Sequence, residues 1–419
     1  MSISGRASLS SLIVIALAAS ACKREGTEAK PTGEATPGAS APAGAAPGST
    51  GPAPAPAGRA ATVSIPGGTL RAGSRCQDVP RIRPEELEHQ EMTLGAVEMD
   101  AHPYPNEPGK PALVGVTRDK AAALCAERGK RLCTELEWEH ACKGPKGTTY
   151  PWGDGFRTDR CQPRADKRIG ERPDCRSAFG VMDMFGLAME WTASDWKRGT
   201  PSGDAVVRGA RAEKVSWLSA RCAHARKRNP HQGFDDVGFR CCSGPANGAE
   251  VVLQQKTAGT IEEIGAIDAD FGKTLLRAMP KDHQSIPDVE VGFDKVWRWH
   301  PVANEEMLVA RWQAKPKQAA PQVEIAVFKL CGERALRAAV MRGPVAKLSE
   351  PRVGTKPTKL DFDAELGTSK GAVTLGYWHG SVKLEQPEFV PKALSFEGIA
   401  PAASQPGEPR RIRVRAGGT

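Results

Sequence analysis

The sequence predicts an α+β fold with little regular structure for its length, followed by a β-rich C-terminal domain. Three observations carry this. Two short segments, 118–128 and 135–142, follow helix-start signals at Thr117 and Thr134. The stretch from 143 to 248 is mostly loop in composition, with brief strand-like runs. Residues 249–419 carry alternating or β-branched and aromatic runs separated by turn signals.

Taken in order, the chain opens on an address. Arg6 is a positive n-region, residues 12–19 are an apolar core, and Ser20-Ala21-Cys22 ends it with small residues. This reads as a signal peptide over residues 1–21, too short to span a bilayer as a helix. A cysteine directly after Ala19-Ser20-Ala21 resembles the lipobox of bacterial lipoproteins. That resemblance implies cleavage before Cys22 and its lipidation, hence a lipid-anchored protein of the bacterial cell envelope. Lys23 follows in place of an aspartate retention signal, which by similarity favours the outer membrane. Residues 22–68 are rich in Ala, Pro, Gly, Ser and Thr and have little to bury, so they are expected to be a disordered tether.

The globular part is expected over 69–248. Residues 98–115 are turn-rich with short apolar pieces. Thr117 caps an Ala/Leu helix that Gly129 ends. Thr134 and Glu137 then form a capping box, in which the Thr hydroxyl and the Glu carboxylate each satisfy an orphan N–H. Trp138 and Ala141, three apart, share one face of this second helix. Strands are expected at 180–184, 187–192 and 206–208. In the β-rich domain, 249–419, strands are expected at 289–299, 307–313, 323–330, 372–378 and 410–415. Trp297, Trp299, Trp312 and Trp378 sit at strand spacing and read as core, with a carbohydrate-stacking platform as the competing reading.

Composition excludes some functions. The net charge of +9, from 58 basic and 49 acidic residues, is a modest excess. No aromatic-rich nucleic-acid recognition module accompanies the basic stretch 208–228, so no nucleic-acid partner is expected. There is no phosphate-binding glycine loop and no Gly-x-Ser-x-Gly nucleophile elbow.

Four blocks, GKRLCTELEWEHAC (129–142), YPWGDG (150–155), FGVMDMFGLAMEW (179–191) and VGFRCC (237–242), resemble the formylglycine-generating enzyme, or sulfatase-modifying factor, family in order and spacing. The resemblance covers residues 97–242 and implies an irregular C-type-lectin-like sulfatase-modifying-factor fold. Cys133 stands where the family has proline. Of eleven cysteines, ten remain once Cys22 is set aside, an even number. Carried over from the family, two structural bridges pair Cys125 with Cys241 and Cys142 with Cys222. Loops this long stabilise by roughly 3–5 kcal/mol each through the unfolded state. Cys76, Cys133, Cys161, Cys175, Cys242 and Cys331 are left, and a Cys133–Cys242 bridge is attractive, but six cysteines allow fifteen pairings.

The family's catalysis uses two thiolates that bind Cu(I) and activate oxygen to oxidise a substrate cysteine. Soft thiolates suit Cu(I), and neutral side chains cannot replace them. Here those positions are Ala212 and Trp217. Copper chemistry by the family mechanism is therefore not expected, and no cofactor is predicted. Calcium is weakened as well. The family's Gly-Asn-Val-x-Glu-Trp motif reads Gly186-Leu187-Ala188-Met189-Glu190-Trp191, and Leu187 offers no side-chain oxygen. Asp183 and Glu190 are expected to be structural. The histidines make no clustered iron triad of the kind seen elsewhere in the superfamily. His224 and His231, seven apart, are the pair that could meet a metal.

The leading expectation is a membrane-tethered binding or scaffold protein with a non-catalytic head. Its candidate ligand groove is lined by Trp217, Arg221, His224 and Arg226, with an envelope peptide or anionic glycan as ligand class. The alternative is an oxidoreductase of the formylglycine-generating or non-haem metal superfamily with displaced active-site residues, using Cys133 and Cys242 as a redox pair. A purely structural envelope role is the third expectation.

Overall fold

The structure is a computed structural model. It describes residues 61–157, 159–161, 168–211, 216–265, 267, 269–278, 292–314, 322–344, 348–366, 369–385, 395–400 and 410–415. Cys22, the expected signal segment 1–21, most of the expected tether 22–68 and Ala212 lie outside the described residues. Every described residue belongs to one compact unit, Ala55–Thr419. Strands outnumber helices throughout, and among the described residues no helix is long and apolar enough to cross a membrane.

Helix α1 (Arg118–Ala126) starts where Thr117 Oγ1 accepts the Lys120 N–H, and Gly129 (φ 67°) turns the chain out after it. Helix α2 (Glu135–Lys143) begins at the capping box of Thr134 and Glu137. All nine of its residues are buried, so its charges need internal partners. Glu135 takes Arg198 at 2.6 Å and Arg208 at 2.7 Å; Glu137 takes Arg131 at 2.8 Å through both oxygens. Glu139 is held by Lys143 at 2.9 Å and Arg208 at 3.1 Å. The helix is the hub around which the head, residues 61–253, is built.

Two small sheets flank it. One runs in the order Thr62–Ile65, Val97–Asp100, Cys241–Ser243, Arg131–Leu132, all antiparallel. The other runs Val237–Phe239, Met189–Asp195, Ala205–Arg208, Ala225–Arg228, with its first pair parallel. Two expectations are corrected here. The folded part starts before residue 69, because Ile65 is fully buried and its strand pairs with Val97–Asp100. Residues 180–184 form no strand, only an isolated bridge of Met182 with Arg176: Gly180 and Asp183 have positive φ, which breaks an extended run.

Beyond the head, a seven-stranded antiparallel sheet runs Thr260–Glu263, Gly292–His300, Met307–Ala314, Gln322–Cys331, Arg334–Pro344, Ser395–Ala400, Arg410–Arg415. A four-stranded sheet is formed by Arg352–Val353, Lys359–Leu366, Ser369–Trp378 and Ser381–Glu385. Alternation decides the layers. Trp297, Trp299, Val309 and Ile325 pack with Leu360, Phe362, Val373 and Leu375 of the smaller sheet. Val296, Ala310, Trp312 and Phe328 face the other way, onto helix α3 (Ala269–Arg277) through Phe271 and Leu275. Three of the four C-terminal tryptophans are thus core. Trp378 is not: it is 37% exposed.

Five disulfides fasten these layers: Cys76–Cys331, Cys125–Cys241, Cys133–Cys242, Cys142–Cys222 and Cys161–Cys175. Cys142 and Cys125 lie in the last turns of α2 and α1, so each helix is tied to the segments that return beside it.

Candidate functional site

The segment that carries the candidate groove is wound by two serines. The Ser216 N–H donates to Ser219 Oγ at 2.9 Å, and the Ser219 N–H donates back to Ser216 Oγ at 3.2 Å. This tight turn presents Trp217 and delivers Cys222 to its bridge with Cys142. The Tyr150 hydroxyl donates to the Trp217 carbonyl at 2.7 Å. The half-buried Trp217 ring meets Trp378 edge-on, with centroids 4.7 Å apart and planes at 61°.

The other groove residues divide. Arg221 is buried and forms a two-pronged ion pair with Glu86, at 2.7 and 2.6 Å. Burial alone would raise the Glu86 carboxyl, but the Arg221 guanidinium and hydrogen bonds from Ser74 and Ile82 hold it far below the usual carboxylate range. His224 is also buried, and its Nδ1 has no hydrogen-bond partner among the described residues. Burial, then the Arg221 charge, pushes its pKa down to about 3, so it is neutral. Arg226 is half-buried on its strand. The groove drawn from sequence is therefore corrected. Arg221 and His224 are interior residues spent on the fold, and only Trp217 and Arg226 reach solvent.

His231 is not brought to His224 as a ligand pair. Its side chain is 79% exposed, beside Asp119. Nor do the family's metals fit. The Asp183 Oδ2 accepts the Gly170 N–H at 2.7 Å and faces His102 Nδ1 at 2.8 Å. The two Glu190 oxygens are taken by Arg240, at 2.6 and 2.7 Å, and one also by the Trp138 N–H at 2.8 Å. With no side-chain oxygen from Leu187, these carboxylates serve protein donors and do not make a calcium shell. Among the described residues all ten cysteines are in disulfides, and Cys133 and Cys242 are 1% and 0% exposed. The Cys133–Cys242 pair is therefore enclosed in the interior and not presented to a substrate.

Sequence reasoning missed Glu86, Arg208 and Arg240. For Arg208 and Arg240 the signal was a charge following an apolar run, Ala-Val-Val-Arg and Val-Gly-Phe-Arg, whereas Glu86 lies in the charged run Pro-Glu-Glu-Leu-Glu-His and carried none.

Residues 61–253 form a disulfide-locked α+β frame hung on a capping-box helix. Residues 88–244 match the family model described as "Sulfatase-modifying factor enzyme 1-like domain", so the chain carries a formylglycine-generating-enzyme-like domain over that span. It is 34% identical over 157 residues to "Inactive C-alpha-formylglycine-generating enzyme 2" of Bos taurus, covering 32% of this chain and 50% of that relative. It is 29% identical over 170 residues to "Formylglycine-generating enzyme" of Bos taurus, covering 33% of this chain and 45% of the relative. The chain thus spans about half the length of the curated relatives it matches.

Proposed function

We propose that the protein is a non-catalytic scaffold of the bacterial cell envelope, tethered to the membrane through a lipid on Cys22. The observation that carries the catalytic half is Trp217. Where the family places the thiolate nearer Cys222 in sequence, an indole stands instead, its carbonyl held by Tyr150 and its ring packed on Trp378. Copper oxidation needs soft ligands, and neither an indole nor the methyl group of Ala212 supplies one. The names of relatives such as the inactive Bos taurus protein support the same reading.

On this reading the head is C-type-lectin-like and the C-terminal sheets are a second, β-rich domain. The solvent-reaching remainder of the groove, Trp217 and Arg226, suits an envelope peptide or an anionic glycan, through stacking on the indole and charge pairing with the guanidinium.

One experiment reads both halves. Cells producing the chain or Cys22→Ser are fractionated, and each fraction is given copper, oxygen and a cysteine-containing peptide. We expect the wild-type chain in the membrane fraction and Cys22→Ser in the soluble fraction. Neither should form peptide aldehyde above an empty-vector control. Unchanged partitioning of Cys22→Ser would remove the tether, and aldehyde formed in proportion to the protein would remove the non-catalytic assignment.

A further inference from the structure

The C-terminal sheets sit against the head across a polar seam. Arg81, on the head, donates from Nε to Glu305 Oε2 at 2.7 Å and from its backbone N–H to the His379 carbonyl at 2.9 Å. Gln255 Nε2 donates to the Pro84 carbonyl at 2.7 Å, and Trp378 leans on Trp217. Among the described residues each hydrophobic cluster lies wholly on one side. Those built on Trp138, Trp191, Leu70 and Val206 end by residue 253, and those built on Trp299 and Phe328 begin at residue 261. Parts joined by polar contacts, with no shared apolar core, move relative to one another by default unless something else fastens them.

Here the fastener is Cys76–Cys331, the bridge that crosses the seam. It also differs from the other four in access. Cys76 and Cys331 are both half-buried, whereas the remaining eight bridged cysteines are at most 3% exposed. Cys331 opens onto a turn whose Gly332 and Glu333 are exposed. Thiol–disulfide exchange requires a thiolate to reach a bridge sulfur, so access orders the five bridges.

We propose that Cys76–Cys331 is a redox latch whose reduction loosens the C-terminal sheets from the head and uncovers Trp217, on which Trp378 now lies. The reductant is a dithiol. One of its thiolates attacks Sγ of either cysteine and forms a mixed disulfide, expelling the other cysteine as thiolate. The second reductant thiol then closes its own disulfide and expels the first. The bridge takes up two electrons and two protons, and the dithiol is oxidised by the same amount. The Arg81–Glu305 pair, joined by Lys329 at 3.0 Å, guides the sheets back when the bridge re-forms. The latch stands whether or not the head binds a peptide or glycan, so its failure and that of the scaffold reading are separate results.

The test titrates the full oxidised chain with dithiothreitol under native conditions, blocks free thiols by alkylation and maps them by mass spectrometry. Hydrogen exchange is followed in the peptide containing Arg81. Cys76 and Cys331 should be labelled at about a tenfold lower reductant concentration than any other pair. Exchange at the Arg81 amide should rise about tenfold once they are open. The double variant Cys76→Ser, Cys331→Ser should show the faster exchange without reductant; if it does not fold, the wild-type titration decides alone. Labelling of another pair first, or simultaneous labelling of several pairs, would overturn the proposal. So would unchanged Arg81 exchange with the bridge open.

Discussion

Replacing Arg240 with methionine should cost the protein about 3–5 kcal/mol, the usual loss when one member of a buried ion pair is removed. Arg240 and Glu190 are 1% and 0% exposed. The guanidinium grips both carboxylate oxygens and also donates to the carbonyls of Asp100, Ala101 and Met182. Methionine fills much of the space but leaves Glu190 with the Trp138 N–H as its remaining donor, and three carbonyls lose a partner. The double variant Arg240→Met, Glu190→Leu should recover much of the loss, because no buried charge is then stranded. Urea midpoints at unchanged slope measure both. A single-variant loss below about 1 kcal/mol would contradict a buried ion pair of this kind between Arg240 and Glu190.

The second large effect is an acid limb that begins well above the carboxylate range. His224 has a folded pKa of about 3, below its unfolded value of about 6.5, so the folded state binds fewer protons. Its contribution is complete above about pH 6.5 and is lost as pH falls toward the folded value, with a slope of about 1.4 kcal/mol per pH unit. The charges facing it are those of Arg221, Glu86, Arg226 and Arg208. His89, His140 and His379 are shifted in the same direction, each first by burial. The carboxylates join lower down. Burial opposes the shift at Glu305, but Arg81 and Lys329 bring its pKa to about 2, and Glu86 is held below its ordinary value too. Depressed carboxylates stabilise above about pH 4.3 and lose that stability as pH falls through their folded values. Chemical unfolding between pH 7 and 5 should therefore show the wild type losing stability and His224→Gln losing about 1.4 kcal/mol per unit less. Parallel curves for the two proteins would contradict the buried, neutral assignment of His224.

What could be read from the sequence followed the range of the forces involved. The caps at Thr117 and Thr134 are local, decided within three residues, and stand where expected. Strands at 307–313 and 323–330 were legible from alternating Val, Leu, Ile and Phe. Arg334–Pro344 was not, because its alanines and arginines carry weak strand preference and it forms by pairing with Gln322–Cys331. The candidate groove failed for a related reason. Arg221 looks like a surface cation until Glu86, 135 residues away, is folded against it. Trp217 and Trp378 meet only through tertiary structure. The family resemblance supplied the bridges at Cys125 and Cys142. The partners of Cys76 and Cys161 needed coordinates.

On the non-catalytic reading proposed above, this head does not bind Cu(I) tightly. Anaerobic titration of the oxidised full chain with Cu(I), against a competing chelator, tests it most directly. The expected result is no copper taken from the chelator, with all bridged thiols still protected afterwards. Tight binding of one Cu(I) per chain would contradict it and would require a soft ligand set other than the side chains at positions 212 and 217.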